Sequence, residues 1–196
     1  MGQTLVVKIG GSLALRGAHI LSILSREGCR ALVVPGGGRF ADHVRSLSPS
    51  PDAAHWMAIA GMDQFGWLLA SNGYPVTTRV ANVNEVTILL PYCTLMVADP
   101  LPHTWEVTSD TIAAWVAHRL MLDLLILKSV DGIMGEDGII PFIDHSVPTG
   151  VVDPACIPYV LTQGVKTLIE SGVYDDCIVA GIRGHRTRGT RIGTTI

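Results

Sequence analysis

LVVKIGGSLALRG, residues 5–17, is the stretch on which the fold turns. A short apolar run ends in Lys8, and Gly10, Gly11 and Ser12 follow. An apolar run of this length closed by glycine reads as a buried strand entering a tight turn. It looks like a phosphate loop written backwards, with the lysine before the glycines. Glycines at such a point let backbone N–H groups approach an anion, because no Cβ intervenes. A lysine at the strand end sets its ammonium on a phosphate as a point charge. Alone, the stretch also fits a plain strand, a Gly-Gly turn and a helix. A second apolar run, 31–35, ends in Gly36, Gly37 and Gly38, directly before a helical pattern that opens at Arg39. Two glycine turns at the same ends of two strands favour a phosphate site, since ligands of open α/β sheets bind at the carboxyl ends of the strands.

Working outward, further apolar runs at 86–90, 124–128 and 177–180 read as strands. Helical patterns fill 18–27, 39–47, 53–72, 111–122 and 158–170. Strands alternating with helices predict a mainly parallel sheet covered on both faces, a three-layer α/β/α sandwich. The 53–72 helix is apolar around more than one face. It is therefore expected either to be deeply buried or to be covered by a second copy in a homo-oligomer. The Gly-, Pro- and Asp-rich stretch 131–154 reads as a long irregular connection, a length that suggests function.

Composition narrows the class. The 196 residues, 48% of them hydrophobic, suffice for one domain with a core. A net charge of -3 without a basic block argues against a nucleic-acid partner. No apolar run is long enough to span a bilayer, and the four cysteines form no CxxC pair. A cytoplasmic protein with free thiols is expected. Lysine is scarce: Lys8, Lys128 and Lys166 stand against eleven arginines. Two of the three end strand-like runs, where a charge beside a sheet needs an explanation.

Other segments carry candidate chemistry. Thr108-Ser109-Asp110 opens a helix, either as its cap or with Asp110 turned toward Mg²⁺ or an acceptor group. Lys128-Ser129-Val130-Asp131-Gly132 closes a strand. The tail around Gly189 and Thr190 holds arginines suited to phosphate or to solvent. No HxH or HxxH pair, Gly-x-Ser-x-Gly elbow, GxxxxGK[ST] or GxGxxG is present, which lowers zinc, hydrolase and dinucleotide readings.

In order, VKIGGS (7–12), VPGGG (34–38), TSD (108–110), VDGI (130–133) and GTRI (189–192) resemble the motifs of the amino acid kinase superfamily. Its members include acetylglutamate, aspartate, glutamate and uridylate kinases. HTWEVTSDTIAAWVAHRL (103–120) and the short length are similar to a smaller group within it, the (aminomethyl)furanmethyl phosphate kinases of methanofuran synthesis and their relatives in methylotrophs. The resemblance implies phosphoryl transfer from ATP, with Mg²⁺ entering as Mg-ATP instead of on fixed protein ligands. It implies an acceptor mainly over 1–120 and a nucleotide mainly over 121–196. The implied acceptor is a phosphate monoester on a small aminofuran. By the same resemblance Lys8 would neutralise the transferring group and Asp110 would lie at a helix start facing the site; with Lys128, singled out by its own place at a strand end, they are the catalytic candidates. Gly10, Gly11, Ser12, Asp131, Gly132, Ile133, Gly189 and Thr190 would hold the nucleotide and its phosphates. Gly36, Gly37, Gly38 and Ser109 would face the acceptor. Catalysis of this type is positioning plus charge neutralisation and needs no covalent nucleophile.

Two positions depart from the family pattern. An aspartate that orients the catalytic lysines usually precedes the VDG motif, and Ser129 stands there. A second lysine usually lies on the late helix about three turns before Gly172-Val173, where Leu161 stands, with Lys166 further along the same expected helix. Lys128 is expected to supply the missing ammonium. Two alternatives accompany the phosphate-kinase reading: an anion- or nucleotide-binding protein of the same fold without turnover, and a carboxylate kinase.

Overall fold

The computed structural model describes residues 3–193. Its centre is an eight-stranded sheet in the order β3-β4-β2-β1-β5-β9-β10-β8. These are β1 (Thr4–Ile9), β2 (Arg30–Pro35), β3 (Val76–Thr77), β4 (Thr87–Leu89), β5 (Leu124–Lys128), β8 (Phe142–Ile143), β9 (Thr167–Ser171) and β10 (Thr190–Ile192). A separate two-stranded ribbon, β6 (Met134–Gly135) with β7 (Gly138–Ile139), lies in the 131–154 connection. Neighbours in the main sheet pair in parallel except β9 with β10. The expected mainly parallel α/β sandwich is the fold observed.

Two apolar clusters cover the two faces, as a buried parallel sheet requires. On one, Val6, Val34 and Ile126 pack with α5 (Ser109–Leu120) and α6 (Cys156–Gln163). On the other, Leu5, Val7, Ile9 and Leu125 pack with α1 (Gly17–Arg26) and α7 (Asp175–Ile182). Residues 5 to 9 alternate between the clusters with the period of two that a strand imposes. α3 (Pro51–Ala70) contributes to both clusters, Ile59 and Met62 to the first and Phe65 and Leu69 to the second. That double packing explains why its sequence is apolar all round. Trp67 and Leu68 remain exposed. The remaining helices are α2 (Gly38–Leu47) and α4 (Tyr92–Ala98), and a 3-10 turn, Gly11–Arg16, joins β1 to α1.

Two sequence expectations fail. The 177–180 run is helical, in α7, where Asp175 and Asp176 fill the first turn. Acidic residues at a helix start favour the N-terminal dipole, and four apolar residues cannot outweigh that signal. The 158–170 helix is instead α6, ending before Gly164 at φ 67°, followed by the strand β9. A left-handed glycine stops the helix, and Thr167-Leu168-Ile169 then pairs with β5. Lys166 therefore lies before a strand, at the amino ends of the parallel strands. It lines a cavity of about 280 Å³ together with Gln3 and Asp123, at the opposite end of the strands from Lys8 and Lys128. The cysteines are free thiols, and among the described residues no helix is long and apolar enough to cross a membrane.

Candidate active site

Strand alternation builds the centre of the site. Lys8 shares its face with Val6, and Lys128 shares its face with Ile126, and both faces belong to the cluster that α5 covers. The registers Lys8↔Ile126 and Lys128↔Ser171 place both lysines near the carboxyl ends of adjacent strands. Asp110, in the first turn of α5, meets both. Its Oδ1 lies 2.7 Å from Lys8 Nζ, and its Oδ2 accepts a hydrogen bond from Lys128 Nζ at 2.7 Å. Lys8 and Asp110 are each 3% exposed.

One carboxylate between two ammoniums leaves a buried net positive charge, the sign a transferring phosphoryl group requires. Burial acts to raise the Asp110 pKa, but Lys8 and Lys128 outweigh it and hold the carboxyl below its ordinary value. Burial and then the charge of Lys8 push Lys128 below its ordinary value, against the opposing pull of Asp110. Asp110 thus orients the lysines, the task that the resemblance gave to an aspartate at position 129. Ser129 instead meets the first glycine loop, its Oγ accepting from Ser12 Oγ at 3.2 Å.

Capping of α5 differs from the sequence expectation. Thr108 is the N-cap residue, and the hydrogen bonds come from Asp153, 43 residues downstream of Asp110 in sequence. Its carboxylate accepts from the Thr108 and Thr111 backbone N–H groups at 3.0 and 3.1 Å and from both threonine hydroxyls. The Asp153 N–H reaches back to Asp110 Oδ2 at 3.3 Å. The 131–154 connection therefore supplies the brace behind the lysine-binding carboxylate. Only the Asp-Pro pair before an apolar helical run hinted at this, and it names no partner.

The two glycine loops touch. A Cβ on Gly11 would stand 2.2 Å from the Cα of Gly38, which has φ 50°, so neither position has room for a side chain. From this junction opens a cavity of about 720 Å³, reaching along α2 and α3. Gly11, Ser12, Gly37, Gly38 and Ser109 line its inner end, and Arg45, His55, His103 and Trp105 its outer part. Gly36 is not in the lining; its N–H is donated to Ile9 O at 2.9 Å, which closes the loop. Gly10 likewise donates its N–H to Leu127 O.

The other expected nucleotide contacts gather elsewhere. Thr190 is fully buried, and its hydroxyl accepts the Ile133 N–H at 2.9 Å. Gly132, Ile133, Gly189 and Thr190 form a packed joint between the connection and β10, with Asp131 half-buried beside it. Leu161 packs against the core beside α5. Sequence reasoning missed the histidines. His103 places Nδ1 2.7 Å from Asp52 and Nε2 2.9 Å from Asp99; Asp99 and His103 are four apart, but Asp52 is 51 residues away.

Comparison with known proteins gives this geometry a family. The Amino acid kinase family profile matches residues 3–144. A [5-(aminomethyl)furan-3-yl]methyl phosphate kinase of Methanocaldococcus jannaschii is 32% identical over 144 residues, 65% of this chain and 67% of that relative. Among solved structures, UMP kinase from Ureaplasma parvum superposes with a TM-score of 0.72 at 15% identity, covering 99% of this chain and all of that one. An isopentenyl phosphate kinase gives 0.66 at 14% identity, covering 97% of this chain and all of that one. These likenesses show the fold; the profile and the sequence relative show the family. The chain belongs to the amino acid kinase family.

Proposed function

We propose that the protein transfers the γ-phosphoryl group of Mg-ATP to a small phosphate monoester, an aminomethylfuran methyl phosphate or a close analogue. The observation that carries this reading is the Lys8–Asp110–Lys128 network beside two touching glycine loops. The acceptor class comes from the relative's name and from a cavity whose inner end lies at those loops.

The residues fit a polyphosphate. A Cβ on Gly10 would stand 3.3 Å from the Leu127 carbonyl oxygen, closer than a side chain normally sits, and 3.6 and 3.7 Å from Lys8 Nζ and Ser12 Oγ. Glycine keeps that cradle between an ammonium and a hydroxyl open. Gly11, Ser12, Lys8 and Lys128 would hold the phosphates, with Gly10, its N–H donated to Leu127 O, leaving room beside them and Asp131 toward the nucleoside. Asp110 and Asp153 are already engaged, so Mg²⁺ arrives chelated by ATP. Bound Mg-ATP supplies the phosphoryl group and shields its charge.

The chain's part is to orient and neutralise. Lys8 and Lys128 offset charge on the transferring group, and Asp110 fixes both ammoniums. Gly37, Gly38 and Ser109 position the acceptor. An acceptor phosphate oxygen bonds to the γ-phosphorus, the bond to the β-phosphate bridging oxygen breaks, and ADP leaves with that electron pair. The product is a diphosphate monoester. Such a transfer rests on positioning and electrostatics. A homo-oligomer seated on α3 belongs to the same reading, supported by the exposed Trp67 and Leu68.

The test is ADP release with [5-(aminomethyl)furan-3-yl]methyl phosphate, N-acetylglutamate and UMP as acceptors. The aminofuran phosphate is expected to give the highest kcat/KM. A carboxylate acceptor ranking first would replace the acceptor class. Absence of heat on titrating Mg-ATP at millimolar concentration would overturn the kinase reading.

A further inference from the structure

The outer part of the acceptor cavity contains an arrangement that the transfer chemistry does not use. Each nitrogen of His103 faces a carboxylate oxygen, Nδ1 to Asp52 at 2.7 Å and Nε2 to Asp99 at 2.9 Å. A neutral imidazole has one donor nitrogen and one acceptor nitrogen. An acceptor nitrogen facing an ionised carboxylate would be repelled, so this geometry requires the imidazolium, which donates at both ends. The carboxylates belong to different elements: Asp52 starts α3, and Asp99 ends α4 in the left-handed conformation. His103 thereby ties both helices to the segment 99–108 that leads into α5.

Aromatic groups complete the arrangement. His55 stacks on His103 with ring centroids 4.0 Å apart, and Trp56 meets His103 edge-on at 5.2 Å. Two residues beyond His103, Trp105 carries the Arg45 guanidinium 4.4 Å above its ring. Arg45 also donates to Asp42 at 2.8 Å, so the charged and titratable groups around this end of the cavity are Asp52, Asp99, Asp42, Arg45 and the two histidines. His55, Asp99 and His103 place possible ligand atoms within 4.8 Å of one another. Stacked rings, however, direct their in-plane lone pairs side by side and not at one ion, and both His103 nitrogens are already engaged. The cluster is therefore read as a proton-held clamp.

We propose that His103 is a positioning residue for the acceptor: as an imidazolium between Asp52 and Asp99 it fixes segment 99–108, and with it Trp105, as the outer wall of the acceptor cavity. This deepens the phosphate-acceptor reading and rests on it. Hydrogen bonds to Asp99 and Asp52 hold the His103 pKa above its ordinary value, while burial followed by the His103 charge pushes His55 below its own. His55 thus gives up its proton more readily than its stacked partner, and it too lines the cavity. A raised folded-state pKa means that the clamp is complete below the ordinary histidine value. It is lost as pH rises through the raised one. Asp52 and Asp99 have exposed side chains, so solvent limits the effect to a few-fold in affinity.

Two measurements test this. In the free protein, histidine Cε1–H and tryptophan indole resonances are followed by NMR from about pH 5 to 9. His103 is expected to titrate above an unperturbed histidine, with the Trp105 indole shifting at the same midpoint. Asp52→Asn should lower both midpoints together. In the kinase assay, the acceptor KM of the wild type, divided by that of His103→Gln, is expected to rise about threefold through that midpoint. The ATP KM should show no such step. Dividing by the variant cancels titration of the acceptor's own groups. A Trp105 resonance indifferent to the His103 titration overturns the clamp. Turnover with a flat KM ratio overturns the acceptor role alone. Absence of turnover with every phosphate acceptor overturns the underlying reading and the acceptor role with it.

Discussion

Asp110 and Asp153 lie at the same helix end, are both buried, and are held in opposite ways. Asp110 faces two ammoniums at 2.7 Å and forms part of a site with net positive charge. Asp153 faces backbone N–H groups and threonine hydroxyls and, among the described residues, forms no ion pair. The second arrangement suits a rigid brace, because dipoles disperse one charge without creating a surplus. The first suits catalysis, because its surplus is unmatched until a phosphoryl group arrives. A buried ion pair is weak evidence for stability. Here the incomplete balance of charge, more than the presence of a salt bridge, distinguishes Asp110 from Asp153 and is what the proposed transfer would use.

Breaking the Asp110 half should produce the largest effect. Asp110→Asn leaves two ammoniums buried side by side without a counter-ion. The expected outcome is a kcat at least about 100-fold lower and a folding stability lower by about 3–5 kcal/mol. Calorimetric unfolding and single-turnover kinetics measure the two losses separately. A variant that kept its melting temperature and its rate would show that the network is incidental.

Lys128→Met removes the surplus and leaves the Lys8–Asp110 pair neutral. A kcat about 100-fold lower is expected, with little loss of stability. Full activity in that variant would refute the idea that Lys128 replaces the late-helix lysine absent at Leu161. Acidity offers a second view of the same residue. Because the folded-state pKa of Lys128 is lowered by burial and by Lys8, the wild-type rate should fall on the alkaline side before an ordinary lysine titrates. Stability moves the other way there. The unfolded chain holds that proton more tightly, so the Lys128 contribution grows as pH rises between the folded and unfolded values. Lys128→Arg should remove the alkaline fall in rate, a comparison that assigns the limb to this residue.

The contrast also explains which parts of the site were legible in the sequence. Lys8, Lys128 and Asp110 could be found because each stands at the end of a regular element, where alternation or capping fixes its direction. The touching glycine loops were legible for the same reason. Asp153 was not, because a cap supplied from 43 residues away leaves no local periodicity. Nor was the Asp52–His103–Asp99 clamp, whose members come from two helix ends and a loop. β9 was absorbed into a helix because one apolar run carries either period. The cost of that error was the placement of Lys166, which the strand sets at the opposite end of the parallel strands from Lys128. Resemblance supplied the role of an orienting aspartate, and the geometry assigned that role to Asp110 instead of position 129.

The brace should yield a smaller and different effect. Asp153→Ala removes two backbone and two hydroxyl bonds from the start of α5. Loss of a helix cap costs about 0.5–2 kcal/mol, and hydroxyls left unpaired in the interior add to that cost. A lower melting temperature is expected, with kcat reduced well under the Asp110→Asn loss, since both lysines keep their carboxylate. Asp153→Asn retains one acceptor oxygen and should recover part of the stability. The two variants measured together separate bracing from catalysis. If Asp153→Ala lost as much kcat as Asp110→Asn while remaining folded, the hold of the Asp153 carboxylate on the start of α5 would be setting the lysine geometry. The division between brace and charge centre would then have to be redrawn.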